Sequence, residues 1–126
     1  MQLVRELPEG YLTVRRVETG SITVGDRSIT SSCLLVRDRL IEHWPVTSIA
    51  ELGPEAIATV VALAPDVVIL GTGERQSFPP PKLMAEFLTR GIGIEVMDNR
   101  AAARTYNVLV SEGRNALAAF ILPPTE

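Results

Sequence analysis

The sequence contains a single cysteine, a single histidine and a single tryptophan among its 126 residues. Cys33 has no second cysteine to bond with, so an internal disulfide is excluded and a reducing compartment is favoured. His43 has no cysteine or second histidine beside it, and zinc sites need several such ligands. The sequence therefore predicts no metal site and no cofactor.

The chain also has no excess of basic residues and no long hydrophobic run. The formal charge is −3, from 12 basic and 15 acidic side chains, so no basic surplus is available to neutralise phosphates. The longest apolar stretch, AIATVVALA, is about half a membrane span, and the opening MQLVRELPEG has no signal-peptide core. These features predict a soluble, cytoplasmic protein that binds no nucleic acid and spans no membrane.

The apolar content and the length of the chain predict one folded domain, covering residues 1–126. Hydrophobic residues make up 46% of the chain, which is enough to build a core without disulfides or metal. In the first third, strands are predicted at residues 11–17, 21–24 and 28–36. Gly20 and the pair Gly25-Asp26 suit the turns between them. This front part is predicted to be a β-hairpin region.

The rest of the chain alternates between helices and strands. The first helix is expected to begin at Gly53-Pro54 and to end before Pro65, with residues 60, 61, 63 and 64 as its more buried positions. Further elements are predicted, in order, as a strand at 66–70, a helix at 81–90, a strand at 92–97, a helix capped by Asp98 or Asn99 and running to Glu112, and a strand at 115–122. This β-α-β-α-β pattern predicts a three-layer α/β core with helices on both faces of the sheet.

A candidate site lies where the apolar strand VVIL runs into Gly71-Thr72-Gly73. Ligands of open α/β sheets gather at the carboxyl ends of the strands, and glycines let a backbone approach a ligand closely. Asp98 and Asn99 follow the next strand and would share the same edge. The alternative is that the glycines only form a turn that needs positive φ, and the sequence leaves both interpretations open.

Two polar residues inside the last helix, Thr105 and Asn107, are mildly unfavourable there and call for a reason. We expect them to fix the Gly71–Gly73 loop by at least one hydrogen bond, and at least one of the two glycines to have positive φ. They are included with Gly71, Thr72, Gly73, Asp98 and Asn99 as candidate binding residues.

No arrangement of residues indicates catalysis. The glycine pair is neither a dinucleotide fingerprint nor a phosphate loop, and no serine lies in a nucleophile elbow. Cys33 lies in the apolar run CLLV and is expected to be buried in the core. The residues thus favour a protein that is not an enzyme, and no catalytic residue is assigned.

Four elements in a fixed order carry a family resemblance: Gly71-Thr72-Gly73, the strand-to-helix junction at Asp98, Thr105-Tyr106-Asn107, and Glu112-Gly113-Arg114 before the last strand. From about residue 21 onward the chain resembles a family of small uncharacterised α/β domains that includes a mitochondrial complex I assembly factor and an adipogenesis-associated protein. The resemblance implies a compact α/β fold with a mixed central sheet, and it implies no established activity, cofactor or catalytic residue.

Two functions from different classes follow. The first is a non-catalytic binding or assembly module with a protein partner. An exposed apolar patch near Phe78 and the following prolines would support this function. The second is a small-molecule binder or enzyme that uses the Gly71–Gly73 loop and the Asp98-Asn99 helix start, for which a pocket at that edge would be needed. A homo-oligomer is left open.

Overall fold

The computed structural model describes residues 10–123, and in this range eight strands and three helices follow one another along the chain. The strands are β1 (Val14–Glu18), β2 (Ser21–Val24), β3 (Arg27–Ile29), β4 (Cys33–Val36), β5 (Arg39–Glu42), β6 (Val67–Gly71), β7 (Gly93–Met97) and β8 (Ala116–Phe120). The helices are α1 (Pro54–Ala62), α2 (Pro81–Leu88) and α3 (Asn99–Ser111), and a short 3-10 turn spans Ile49–Glu51.

Local sequence explains where the helices begin and end. Helix α1 starts with Pro54 in its first turn, where the missing N–H of proline costs nothing. Helix α3 is capped by Asp98, whose side chain accepts a hydrogen bond from the Ala101 N–H at 2.8 Å. Gly113 follows α3 with φ +79, the left-handed conformation that ends many helices. These limits agree with the predicted ones to within two residues.

The strands form two sheets. A five-stranded sheet has the order β5-β4-β8-β6-β7, in which β8, β6 and β7 run parallel while β4 is antiparallel to β5 and β8. A three-stranded antiparallel sheet has the order β1-β2-β3. The mixed central sheet and the separate N-terminal hairpin region are therefore confirmed.

The large sheet separates two hydrophobic cores. Helices α1 and α2 cover one face, where Ile57, Val60 and Phe87 pack with Val68 and Leu70. Helix α3 and the small sheet cover the other face, where Tyr106 and Val110 of α3 pack with Ile69 of β6 and with Ile22 and Ile29 of the small sheet. The predicted three layers are confirmed, and residues 68, 69 and 70 are at most 2% exposed, as expected for a strand covered on both faces.

The predicted strand at 28–36 is wrong as a single element. Residues 27–29 pair with β2 in the small sheet, whereas residues 33–36 pair with β5 and β8 in the large sheet. The chain changes sheets at Ser32, whose buried hydroxyl donates to the Val46 carbonyl and accepts from the Leu122 N–H. A continuous run of β-forming residues does not reveal such a crossing, because both halves have the same composition.

The predicted burial on α1 is also partly wrong. Ala56, Ile57 and Val60 are the buried residues of this helix, while Val61 and Leu63 are half-buried and Ala64 is exposed. Ala64 has already left the helix, with φ +53, and its carbonyl accepts a hydrogen bond from the Asn115 side chain. The side of α1 that faces the sheet is therefore formed by Ala56, Ile57 and Val60, and not by the predicted residues nearest Pro65.

Candidate functional site

The loop after β6 closes on itself through hydrogen bonds. The Thr72 N–H donates to the Met97 carbonyl at 2.9 Å and so extends the pairing of β6 with β7. The Thr72 hydroxyl donates to the Arg75 carbonyl at 2.6 Å and accepts from the Ser77 N–H at 3.0 Å. These bonds occupy the Thr72 N–H, the Arg75 carbonyl and the Ser77 N–H, so these three backbone groups are not open to a ligand.

Asn99, the first residue of α3, fixes this loop to the neighbouring strand. Its side-chain oxygen accepts from the Gly73 N–H at 3.1 Å, and its side-chain nitrogen donates to the Ile121 carbonyl at 3.1 Å. The Asn99 N–H also donates to the Gly73 carbonyl at 2.8 Å. With only 4% of the residue exposed, the amide satisfies polar groups that water cannot reach.

The two glycines have different reasons to be glycine. Gly73 has φ +106, a conformation that side chains rarely adopt, so the expectation of positive φ is confirmed. Gly71 has ordinary backbone angles, but a Cβ at this position would lie 2.3 Å from Asn99 Oδ1 and 3.2 Å from both the Ala102 Cβ and the Phe120 ring. The first glycine therefore permits close packing and the second permits the turn.

Thr105 and Asn107 do not hold the loop, so that prediction is wrong in its residues. The Asn107 side chain accepts from the Val14 N–H at 2.9 Å and donates to the Val14 carbonyl at 2.8 Å, which fastens β1 to α3. The Thr105 hydroxyl lies 3.4 Å from the Met97 sulfur. The same helix does bind the loop, but through Asn99 in its first turn.

Two adjoining hollows lie at this edge. One, of about 90 Å³, is lined by residues of the β1–β2 turn, of the loop and of the start of α3, namely Val17, Glu18, Thr19, Gly73, Glu74, Asp98, Asn99 and Arg100. The second, of about 410 Å³, extends along residues 72–77 toward Thr47, Ser48 and Ile49. Thr19 is shared by both hollows, and its hydroxyl donates to the Glu74 carboxylate at 2.8 Å. Four of the seven predicted site residues, Thr72, Gly73, Asp98 and Asn99, thus line these hollows, while Gly71, Thr105 and Asn107 line neither.

Cys33 and Tyr106 are both buried in the core. Cys33 is buried in the core, and burial together with the nearby Glu42 carboxylate raises its pKa to about 12. Burial also raises the pKa of Tyr106, whose hydroxyl donates to the Leu12 carbonyl at 3.1 Å. Within residues 10–123, no three His, Cys, Asp or Glu side chains group in a way that could hold a metal ion.

A larger groove lies on the other side of the molecule, between α1 and α2. Its volume is about 570 Å³, and its lining joins apolar residues to a charged rim: Pro54, Ile57, Ala58, Val61, Ala62, Lys82, Leu83, Glu86 and Arg90. Arg90 and Glu86 on the rim form an ion pair at 2.9 Å. Several apolar side chains here, including Val61 and Leu83, remain only half-buried.

Neither this groove nor the place of Thr19 in the lining of the two hollows was predicted from the sequence. Thr19 is far from the glycines along the chain, and nothing local marks it. A signal for the groove does exist, because α1 and α2 each carry apolar residues over more of their circumference than one contact with the sheet needs. That excess predicts a second apolar contact beside the sheet.

The geometry defines a small mixed α/β domain with an apolar groove between α1 and α2. The chain matches the family described as DUF498/DUF598, proteins of unknown function, over residues 14–121, and it belongs to that family. No helix within residues 10–123 is both long and apolar enough to cross a membrane.

Similar proteins agree with this assignment. A protein of Bos taurus named NADH dehydrogenase [ubiquinone] 1 alpha subcomplex assembly factor 3 is 32% identical over 97% of this chain, which spans 66% of the bovine protein's length. An NMR structure from Xanthomonas campestris is 45% identical and superposes with a TM-score of 0.84, covering 96% of this chain and 92% of that one. A crystal structure from Bordetella parapertussis is 34% identical, with a TM-score of 0.82 and coverage of 90% and 97%. The resemblance to a family that includes a complex I assembly factor is confirmed.

Proposed function

We propose that this protein is a non-catalytic binding module that holds a protein partner in the groove between α1 and α2. The observation that carries the proposal is the groove itself, whose apolar lining includes the buried Ile57 and the half-buried Val61 and Leu83. Exposed apolar surface of this kind, rimmed by charge, is typical of protein interaction sites.

The shape of the groove suits a helix from the partner. Residues of α1 and α2 line the groove, with the small Ala58 and Ala62 on the α1 side, and an apolar stripe at i, i+3 and i+4 can pack into it. Lys82, Glu86 and Arg90 along the rim carry both signs of charge and can pair with polar residues that flank the stripe. The name of the bovine relative, an assembly factor, is compatible with a role in holding another polypeptide.

The location of the protein forms part of the proposal. A free cysteine in the buried run CLLV and no disulfide partner suit a reducing compartment, so we infer that the protein acts in the cytoplasm. Fractionation of its native cells with an antibody to the chain should recover it with cytoplasmic markers. Recovery in a membrane or organelle fraction would contradict this part.

A matched pair of substitutions tests the groove. Ala58→Arg places a long charged side chain inside it, whereas Thr59→Arg places the same side chain on the next exposed residue of α1, outside the lining. Both should leave the fold intact, since exposed substitutions usually change stability by less than about 0.5 kcal/mol. Captured from its native cells, the wild-type chain and Thr59→Arg should retain the same stoichiometric partner, and Ala58→Arg should lose it. Equal capture by all three chains would overturn the groove as the docking site.

The second candidate function is binding of a small molecule at the loop edge, with Gly71, Thr72, Gly73, Asp98 and Asn99 among its residues. Its supporting observation is the pair of adjoining hollows there, of about 90 and 410 Å³. Native mass spectrometry of freshly purified protein distinguishes the two proposals. A small mass adduct that Thr19→Arg abolishes supports the loop edge, and an adduct-free chain with a bound polypeptide supports the groove.

A further inference from the structure

The outer edge of β7 is an open strand edge. Among residues 10–123, strand β7 ends the large sheet and pairs only with β6. The Gly93 N–H and the Met97 carbonyl bond toward β6 and its extension, at 3.1 and 2.9 Å. Since backbone groups alternate in direction along a strand, Ile94 and Val96 direct theirs outward. At the far end of this edge, the Gln76 side chain donates to the Val96 carbonyl at 2.8 Å.

The two edge strands of the large sheet differ in the contacts of their charged residues. On β5, the Glu42 carboxylate is held by Arg27 of the small sheet at 2.6 Å. Natural proteins usually guard an open edge with proline, lysine, a bulge or a covering segment. Strand β7 has no proline and no lysine, and its only charged residue is Glu95.

An apolar flank of α2 overhangs this open edge. Helix α2 packs on β7, and its groove side is formed by Lys82, Leu83 and Glu86. Met84 and Leu88 lie four residues apart, hence on one side of the helix, and neither lines the groove. They therefore lie on the flank away from α1, which is the flank above the edge of the sheet. Leu88 is 59% exposed, although it is a large apolar residue.

We propose that a second copy of this chain pairs with β7 in an antiparallel manner, so that two five-stranded sheets join across a two-fold axis. An edge with outward N–H and C=O groups is complementary to an identical edge turned around. The Met84–Leu88 flank of one copy then packs against the same flank of the other, which covers both leucines. This interface does not depend on the groove between α1 and α2.

Charge selects the register of the pair. In an antiparallel pair, residues whose backbone groups point outward on one strand lie opposite such residues on the other strand. The two-fold axis of the dimer can therefore pass through Ile94, between Ile94 and Val96, or through Val96. The middle choice sets Glu95 directly against Glu95 of the second copy, which is destabilising. The last choice needs the Val96 carbonyl that Gln76 already occupies. An axis through Ile94 places Glu95 opposite Gly93 of the second copy and leaves the Ile94 groups free to exchange two hydrogen bonds.

Sedimentation velocity on the full chain over a concentration series tests the interface. Wild type should form dimers, and Leu88→Glu should raise the dimer dissociation constant at least about tenfold, because an apolar contact is replaced by charge in each copy. Val108→Glu is the matched control, since Val108 is 55% exposed on α3, away from this edge. It should dissociate like wild type. A wild type that stays monomeric at its highest soluble concentration, or a Leu88→Glu chain that dimerises unchanged, would overturn the proposal.

A second pair of variants tests the register. Gly93→Lys places an ammonium opposite Glu95 of the second copy, whereas Gly93→Glu places a carboxylate there. A Cβ at Gly93 meets only ordinary contacts, the nearest being the Val67 Cγ2 at 3.6 Å, so the two variants should fold alike. The lysine variant should dimerise roughly threefold or more tightly than the glutamate variant at low salt. Equal dissociation constants for the two would overturn the Ile94 register.

Discussion

Asn99 and Gly73 bond to each other twice. The Gly73 N–H donates to the Asn99 side chain at 3.1 Å, and the Asn99 N–H donates back to the Gly73 carbonyl at 2.8 Å. The loop after β6 and the first turn of α3 are therefore one hydrogen-bonded unit. A ligand at this edge would meet the side chains that line the hollows, because the backbone groups of Gly73 are already occupied.

Replacement of Asn99 by alanine should destabilise the fold by about 1–3 kcal/mol, because the Gly73 N–H and the Ile121 carbonyl lose their buried partner. Urea unfolding followed by circular dichroism measures the change in free energy. Arg100→Ala is the control at the next, exposed position, and should change stability by less than about 0.5 kcal/mol. Equal stability of Asn99→Ala and wild type would show that water replaces the amide.

A methyl group at Gly71 should push directly on Asn99. Gly71→Ala is expected to cost about 1–3 kcal/mol, since its Cβ would lie 2.3 Å from Asn99 Oδ1. Gly20→Ala, with open space around its Cβ, should cost far less. In a double-mutant cycle, Gly71→Ala should be less harmful on the Asn99→Ala background, with a coupling of about 0.5–3 kcal/mol. If the two destabilisations simply add, the methyl group at position 71 does not clash with Asn99.

The attachment of the small sheet should depend on Asn107. Its side chain makes both hydrogen bonds of the Val14 backbone to α3, so Asn107→Ala should cost about 1–3 kcal/mol. Hydrogen exchange of the Val14 amide should rise more than that of the β6 amides, because the loss is confined to one strand. Asn107→Asp keeps the acceptor and loses the donor, and should fall between alanine and wild type. Uniform loss of protection across both sheets would contradict this local role.

Cys33 should make stability fall at alkaline pH. Burial and the Glu42 charge raise the thiol pKa from 9.0 to about 12, so the folded state keeps its proton where the unfolded state loses it. The contribution is therefore fully present below about pH 8 and is lost as the pH rises from 9 toward 12. At pH 10 the loss should be about 1 kcal/mol. Cys33→Ala should show a flatter dependence between pH 8 and 10, measured as the difference from wild type, and parallel curves would refute the shift.

Much of the fold was determined locally by the sequence. Pro54 and Pro65 bracket α1, Asp98 caps α3 and Gly113 ends it, because each residue acts on backbone atoms within one turn of itself. The unbroken apolar run of β6 likewise predicted burial on both faces, which the structure confirms. The edge that gathers Gly71, Gly73 and Asp98 followed from the order of strands and helices alone.

Tertiary structure decided what those residues contact. Thr105 and Asn107 are polar residues in a helix, and the sequence contains no information on whether β1 or the loop lies beside them. The crossing at Ser32 depends on pairing partners more than 80 residues apart, since β4 lies against β8. The groove between α1 and α2 and the open edge of β7 arise from the layer order of the sheet. Local propensity acts over a few residues, whereas these contacts arise only when distant segments pack, and that is the physical reason the sequence by itself left them open.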